Sequence, residues 1–168
     1  MTNLGTMGGA YASATDINSR GQVLGYAYNV DGTPRHAFIT GPNGVGSTDL
    51  SSLVTSADGA FLSAANAIND LGQIVGAISL ASGAVGHAFV TGANGVGMTD
   101  LNALVTLTDG AYLIDASVIN DHGQIVARAT NGHSYLISVA PVNVPEPGTL
   151  ALFALGLAGL GWSRRHSS

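Results

Sequence analysis

The chain has 168 residues, of which only 9% are charged, none is lysine, and the formal net charge is −5. That length suits one packed domain, and that charge excludes a nucleic-acid partner, because phosphate binding runs on Lys and Arg. With no cysteine, a disulfide framework and thiolate chemistry are excluded too.

In chain order, residues 1–9 (MTNLGTMGG) lack a basic start followed by an apolar run, so no signal peptide is legible. Their MTNL resembles the end of a repeat unit. The expectation is therefore upstream coding sequence that carries both an export signal and a further unit. Next come ATDINSRGQVLGYA (14–27), ANAINDLGQIVGAI (65–78) and ASVINDHGQIVARA (116–129), each 51 residues after the last. HAFITGPNGVG at 36–46 and HAFVTGANGVG at 87–97 keep the same spacing, as do the Thr-Asp-Leu triplets at 48–50 and 99–101. A shorter echo, HSYL, begins at His133. An internal repeat of this strength outranks any single motif.

Within a unit, SAANAIN alternates as a strand, and NDLG is a turn in which Asn and Asp bond their own backbone. QIVGAISL is the returning strand, HAFVTG a third and MTDL a short fourth. The 24 glycines punctuate these runs and disfavour helix. The sequence thus predicts an all-β fold over 1–140, built of small antiparallel sheets of about four short strands, with units near 1–46, 47–97 and 98–140. Such sheets form β-propellers or solenoids. Three units fall short of the roughly four blades a propeller needs to close, so a partial or truncated propeller with self-association through its open repeat edges is expected.

Each repeated polar residue has a structural reading and a chemical one. Asn18, Asn69 and Asn120 precede glycine turns and are read as turn-forming. Calcium ligation by Asn69, Asp70, Asn120 and Asp121 is the weaker alternative, since no twelve-residue calcium loop occurs. His36 and His87 are read as strand-bridging, because zinc needs further ligands in a spacing that is absent here. Asp49 and Asp100 recur with the fold, which favours a structural bond over the paired-carboxylate chemistry of glycoside cleavage. The Gly-rich TGPNGVG and TGANGVG lack the Lys-Ser/Thr of a phosphate loop, and no Gly-x-Ser-x-Gly elbow is present. No cofactor and no catalytic constellation is expected. Tyr26, Tyr28 and Tyr112 are candidate sugar-stacking residues.

The tail follows. Residues 141–148 form a linker containing Pro145-Glu146-Pro147, residues 149–163 a short transmembrane-type apolar helix, and residues 164–168 a basic end with Arg164 and Arg165. The uncharged stretch 149–162 would span about 21 Å as a helix, short of the ~30 Å hydrocarbon core unless the flanks or arginine snorkelling bridge the gap. The two arginines would favour the cytoplasmic side and leave the repeat body outside.

Two resemblances cover most of the chain. Ile17-Asn18, Gly21-Gln22-Val23-Leu24-Gly25 and His36-Ala37-Phe38 resemble the bacterial extracellular repeat family named for its His-Ala-Phe tripeptide. So do Ala67-Ile68-Asn69, Gly72-Gln73-Ile74-Val75-Gly76, His87-Ala88-Phe89 and Thr99-Asp100-Leu101. The third unit departs, with Ala127 in place of Gly and Ser134-Tyr135 after His133. This resemblance implies an extracytoplasmic repeat domain and no reaction. Pro145, Glu146, Pro147, the apolar run and Arg164-Arg165 resemble the PEP-CTERM sorting sequence. That resemblance implies cleavage by an exosortase, transient residence in the inner membrane of a Gram-negative-type bacterium, then surface display or secretion, with a link to exopolysaccharide and biofilm. The expected role is structural or interactive in the envelope or matrix. A carbohydrate-binding module is the alternative, and a glycan-active enzyme the least favoured.

Overall fold

The computed structural model describes residues 1–28, 36–53, 61–79 and 86–139, without the side chains of His36, Phe61 and Ser63. The expected linker, apolar helix and basic tail all lie outside the described residues.

The body is three antiparallel meanders. β1 (Tyr11–Ile17), β2 (Val23–Tyr28), β3 (His36–Thr40) and β4 (Ser47–Asp49) pair in sequence order. So do β5 (Phe61–Ile68), β6 (Ile74–Ser79), β7 (His87–Val90) and β8 (Thr99–Asp100). The third sheet holds β9 (Leu113–Ile119), β10 (Gln124–Ala129) and β11 (Ser134–Ser138), with β10 in the middle. The helices among the described residues are single 3-10 turns, at Pro42–Gly44, Ser51–Leu53, Ala93–Gly95 and Leu101–Ala103. The Thr-Asp-Leu segments therefore close the sheet that precedes them.

A sheet this small cannot bury its apolar face alone. The sheets stack face to face in chain order, first on second and second on third. Leu24, Ile39 and Leu50 of the first unit meet Leu62, Ile68, Ile74 and Phe89 of the second. Val75, Val90 and Leu101 of the second meet Leu113, Ile119, Ile125 and Ile137 of the third. At about 1.5–3 kcal/mol for each such side chain fully buried, these two junctions are the main source of stability. Glycine makes close strand approach possible: a methyl group on Gly76 would lie 2.0 Å from the Ala64 carbonyl oxygen.

Each first strand carries a bulge at the same repeat position. Pairing skips Thr15 between Ala14 and Asp16, Asn66 between Ala65 and Ala67, and Ser117 between Ala116 and Val118. A bulged residue is unpaired and re-aims its side chain. The Thr15 hydroxyl donates to the Leu24 carbonyl at 3.2 Å and lies 3.5 Å from that of Ala65 in the next sheet. Asn66 donates across the second junction to Asp115 at 2.7 Å and the Ala116 carbonyl at 2.8 Å.

The turns after the first strands carry a second set of inter-sheet bonds. Asn69 Oδ1 accepts from the Leu71 and Gln73 amides at 3.1 and 2.9 Å, and its Nδ2 donates to Gln73 Oε1 at 2.8 Å. The same Nδ2 also reaches the Asn120 carbonyl at 3.1 Å. Asn18 repeats the pattern with Arg20 and Gln22 and reaches the Asn69 carbonyl at 2.9 Å. Asn120 keeps its own turn through His122 and Gln124 but is exposed.

Residues 1–4 complete the first unit's surroundings. A methyl group on Gly44 would lie 3.0 Å from Leu4 Cδ2, and one on Gly95 lies 3.2 Å from Leu50 Cδ2. Leu4 thus occupies, against the first unit, the place that Leu50 takes against the second.

Asn69→Ala should cost about 2–4 kcal/mol in urea unfolding, because it leaves buried amides and a neighbour's carbonyl without a partner. Asn120→Ala, in the same turn but exposed, should cost about 1 kcal/mol or less. Equal losses at the two positions would show that the bond to the next sheet carries no weight.

Candidate functional site

The repeated polar residues fall into two groups. The first is a row along the stack, formed by the turns after β1, β5 and β9. Besides the Asn side chains, the Ser19 amide donates to Asp70 Oδ1 and the Asp70 amide to Asp121 Oδ1, both at 2.7 Å. Asp16 Oδ2 accepts from the Ile68 amide at 2.9 Å. The Ser19 hydroxyl, and after it the Ser19 amide, hold the Asp70 carboxyl below the usual aspartate range. A carboxylate already accepting protein N–H and O–H groups is a junction clamp. No group of three or more His, Asp or Glu among the described residues is placed to hold a metal ion.

The second group sits at the far edge of the second sheet. His87 at the start of β7 meets Asp100 at the end of β8, with Nδ1 and Oδ2 2.6 Å apart. The other oxygen, Oδ1, accepts from the Asn102 amide at 2.8 Å and from its Nδ2 at 3.0 Å. Asn102 in turn exchanges bonds with the backbone of Leu113, donating to its carbonyl at 2.9 Å and accepting from its amide at 2.7 Å. The Tyr112 ring stands edge-on to His87 at 5.4 Å. This cluster ties the last strand of one sheet to the first strand of the next. In the first unit Asp49 Oδ1 accepts from the Ser51 amide at 2.7 Å, and the side chain of His36 lies outside the described residues.

In the Gly-rich turns the amides of Gly41, Asn43, Gly44 and Val45, and of Gly92, Asn94, Gly95 and Val96, already donate to backbone carbonyls. Asn43 and Asn94 adopt left-handed φ of 56° and 55°, which Asn tolerates better than most residues. This lets Asn43 and Gly44 donate to the Arg20 and Gly21 carbonyls, and Asn94 and Gly95 to those of Leu71 and Gly72. Each loop is thereby docked on the Asn-containing turn of its own unit.

One aromatic expectation is corrected. Tyr26 is buried, and its hydroxyl is bonded to the Ala65 backbone of the next sheet, at 3.0 Å from the carbonyl oxygen and also to the amide. It serves the junction and offers no face to a sugar. Tyr28 is half-buried and stacks on exposed Tyr11 with ring centroids 4.3 Å apart.

The junction residues Asp16, Thr15, Asn66 and Asn102 were not singled out by the sequence reading. Their signal is faint: Thr15, Asn66 and Ser117 are three different polar residues at one repeat position.

Among known families, residues 143–165 match the PEP-CTERM protein-sorting motif. That span contains Pro145, Glu146, Pro147, Arg164 and Arg165. The motif marks an exported protein that is processed by an exosortase and passes through the membrane to the surface or beyond. No curated protein and no solved structure matches the chain. No helix among the described residues is long and apolar enough to cross a membrane.

A depressed carboxyl pKa contributes stability above the ordinary aspartate range, near pH 3.9, and loses it as pH falls through the lower folded value. Wild type should therefore melt higher than Asp70→Asn at about pH 6, and the gap should shrink as the pH falls below the ordinary aspartate range. Thermal melts of both chains across that range measure it; a constant gap would remove the charged junction from the account.

Proposed function

We propose that this is a non-enzymatic repeat protein of the bacterial envelope or extracellular matrix, displayed or released after exosortase cleavage. The observation that carries the reading is the sorting motif at 143–165. The Ile-Asn, Gly-Gln and His-Ala-Phe segments support a repeat body of the His-Ala-Phe type, and sheets stacked in chain order support a partial propeller-like array. The link to exopolysaccharide and biofilm, and to a Gram-negative-type host, follows from the sorting signal's resemblance. A structural role is favoured because the recurring His87, Asp100, Asn69 and Asp70 side chains bond within and between sheets. In this reading the apolar segment 149–163 holds the chain in the inner membrane until it is cleaved.

A carbohydrate-binding module is the second reading, favoured by the stacked pair of exposed Tyr11 and half-buried Tyr28. An aromatic pair of this kind provides a flat apolar surface. Saturable binding to a purified polysaccharide, lost in Tyr28→Ser, would select it over a purely structural role.

The decisive experiment is cell fractionation with intact-mass measurement of protein expressed from its own locus. The mature form should lie outside the inner membrane and lack the residues that follow the Pro145-Glu146-Pro147 region. The triple variant P145A/E146A/P147A should stay at full length in the inner membrane. Wild-type protein found uncleaved in the cytoplasm would overturn the reading.

A further inference from the structure

The outward face of the third sheet repeats a surface that is covered elsewhere in the molecule. Val118, Val126 and Leu136 line up across β9, β10 and β11, since Val126 pairs with both of the others. They are 53%, 37% and 68% exposed. The register places them where the second sheet has Ala67, Val75 and Val90, all buried beneath the third sheet.

The opposite end of the stack shows the complementary surface. Tyr11, Ala14 and Ile17 on β1 are exposed. Their counterparts Leu62, Ala65 and Ile68 in the second unit, and Leu113, Ala116 and Ile119 in the third, are buried against the preceding sheet. A cleft of about 650 Å³ opens beside β1, between Tyr11 and Ala14 and the segment 1–6, with Phe38 at its base. The two ends are thus the two halves of a junction that the chain builds twice internally.

The donors of the third unit match as well, with Ser19 on the facing unit where the internal junctions have the acceptors Asp70 and Asp121. Asn120 Nδ2 holds the position from which Asn18 and Asn69 reach the next unit's Asn carbonyl. The Asp121 amide holds the position from which those of Ser19 and Asp70 reach residues 70 and 121. Arg128 stands where the first sheet has Tyr26, whose hydroxyl donates to the Ala65 carbonyl. A guanidinium is likewise a donor, and the carbonyl in question on the facing unit is that of Ala14. Exposed apolar rows of this kind mark interaction surfaces.

We propose that copies of this chain stack head to tail, the third sheet of one against the first sheet of the next, through the junction the repeat already uses. The segment 140–168 follows the third sheet in sequence but carries neither the Ile-Asn nor the Gly-Gln pattern, so it does not supply a matching unit. The contact is heterologous, and repetition of it generates rings or filaments. The inference stands on repeat geometry, concerns the 168-residue chain itself taken with no further unit upstream, and does not depend on export.

The chain has no cysteine, which allows a directional test. Stacking brings residue 121 of one copy beside residue 19 of the next. Full-length Ser19→Cys and Asp121→Cys chains, purified in mild nonionic detergent, are mixed and oxidised. Ser19→Cys/Asp70→Cys within one chain is the control, since the same geometry there should give an intramolecular disulfide. The mixture should give a disulfide-linked dimer that neither variant gives alone, and Ser19→Cys/Asp121→Cys in one chain should give a ladder of oligomers. Adding Leu136→Asp to the Asp121→Cys chain buries an unpaired charge and should cut the yield about tenfold or more. Leu136→Asp should leave the intramolecular control intact, because Leu136 is exposed within one copy. Dimers of a single variant would mean two-fold pairing and overturn the proposal. So would a mixture that stays monomeric while the control closes, the result expected if residues 140–168 cover the third sheet's face.

Discussion

The structure depends on one constraint: a three- or four-stranded sheet has two faces and too little chain to cover them. Here the cover is the next sheet. Leu24, Ile39 and Leu50 lie under the second unit, and Val75, Val90 and Leu101 under the third. Hydrophobic contact has no direction of its own, so something else must set the offset between sheets. The polar bonds at the junction edges do this. Asn18 and Asn69 fix each turn and, with the remaining N–H, reach the backbone carbonyl of the turn beyond. A slipped stack would bury their amides without partners.

The same economy explains why the candidate chemical residues are occupied. A carboxylate that accepts a neighbour's amide is negatively charged but not free. Asp70 takes Ser19, Asp121 takes Asp70, and Asp100 divides its oxygens between His87 and Asn102. The chain has few charges, and many of those described are spent on holding units in register.

The third sheet keeps the repeat's burial on one face and departs from it on the other. Its inward face keeps the pattern through Ile119, Ile125 and Ile137, while its outward face carries Val118, Val126 and Leu136 with Arg128 among them. Ala127 replaces the glycine of the other units, beside a bulge in the pairing of β9 with β10.

The 51-residue period, the alternating strands, the Asn-Gly turns and the sorting segment were legible from residues alone. These are local properties: a strand's alternation and a turn's need for Gly or Asn are set by the backbone of a few neighbouring residues. Which residues lock one sheet to the next was not legible. Thr15 and Asn66 are ordinary polar positions in a strand until the bulge turns them outward, and Tyr26 reads as a surface aromatic until the second sheet covers it. Sequence spacing determines which face of its own sheet a side chain occupies. Only the stacking of one sheet on another decides which backbone atom lies within reach of it, because that distance depends on the offset between two separate surfaces.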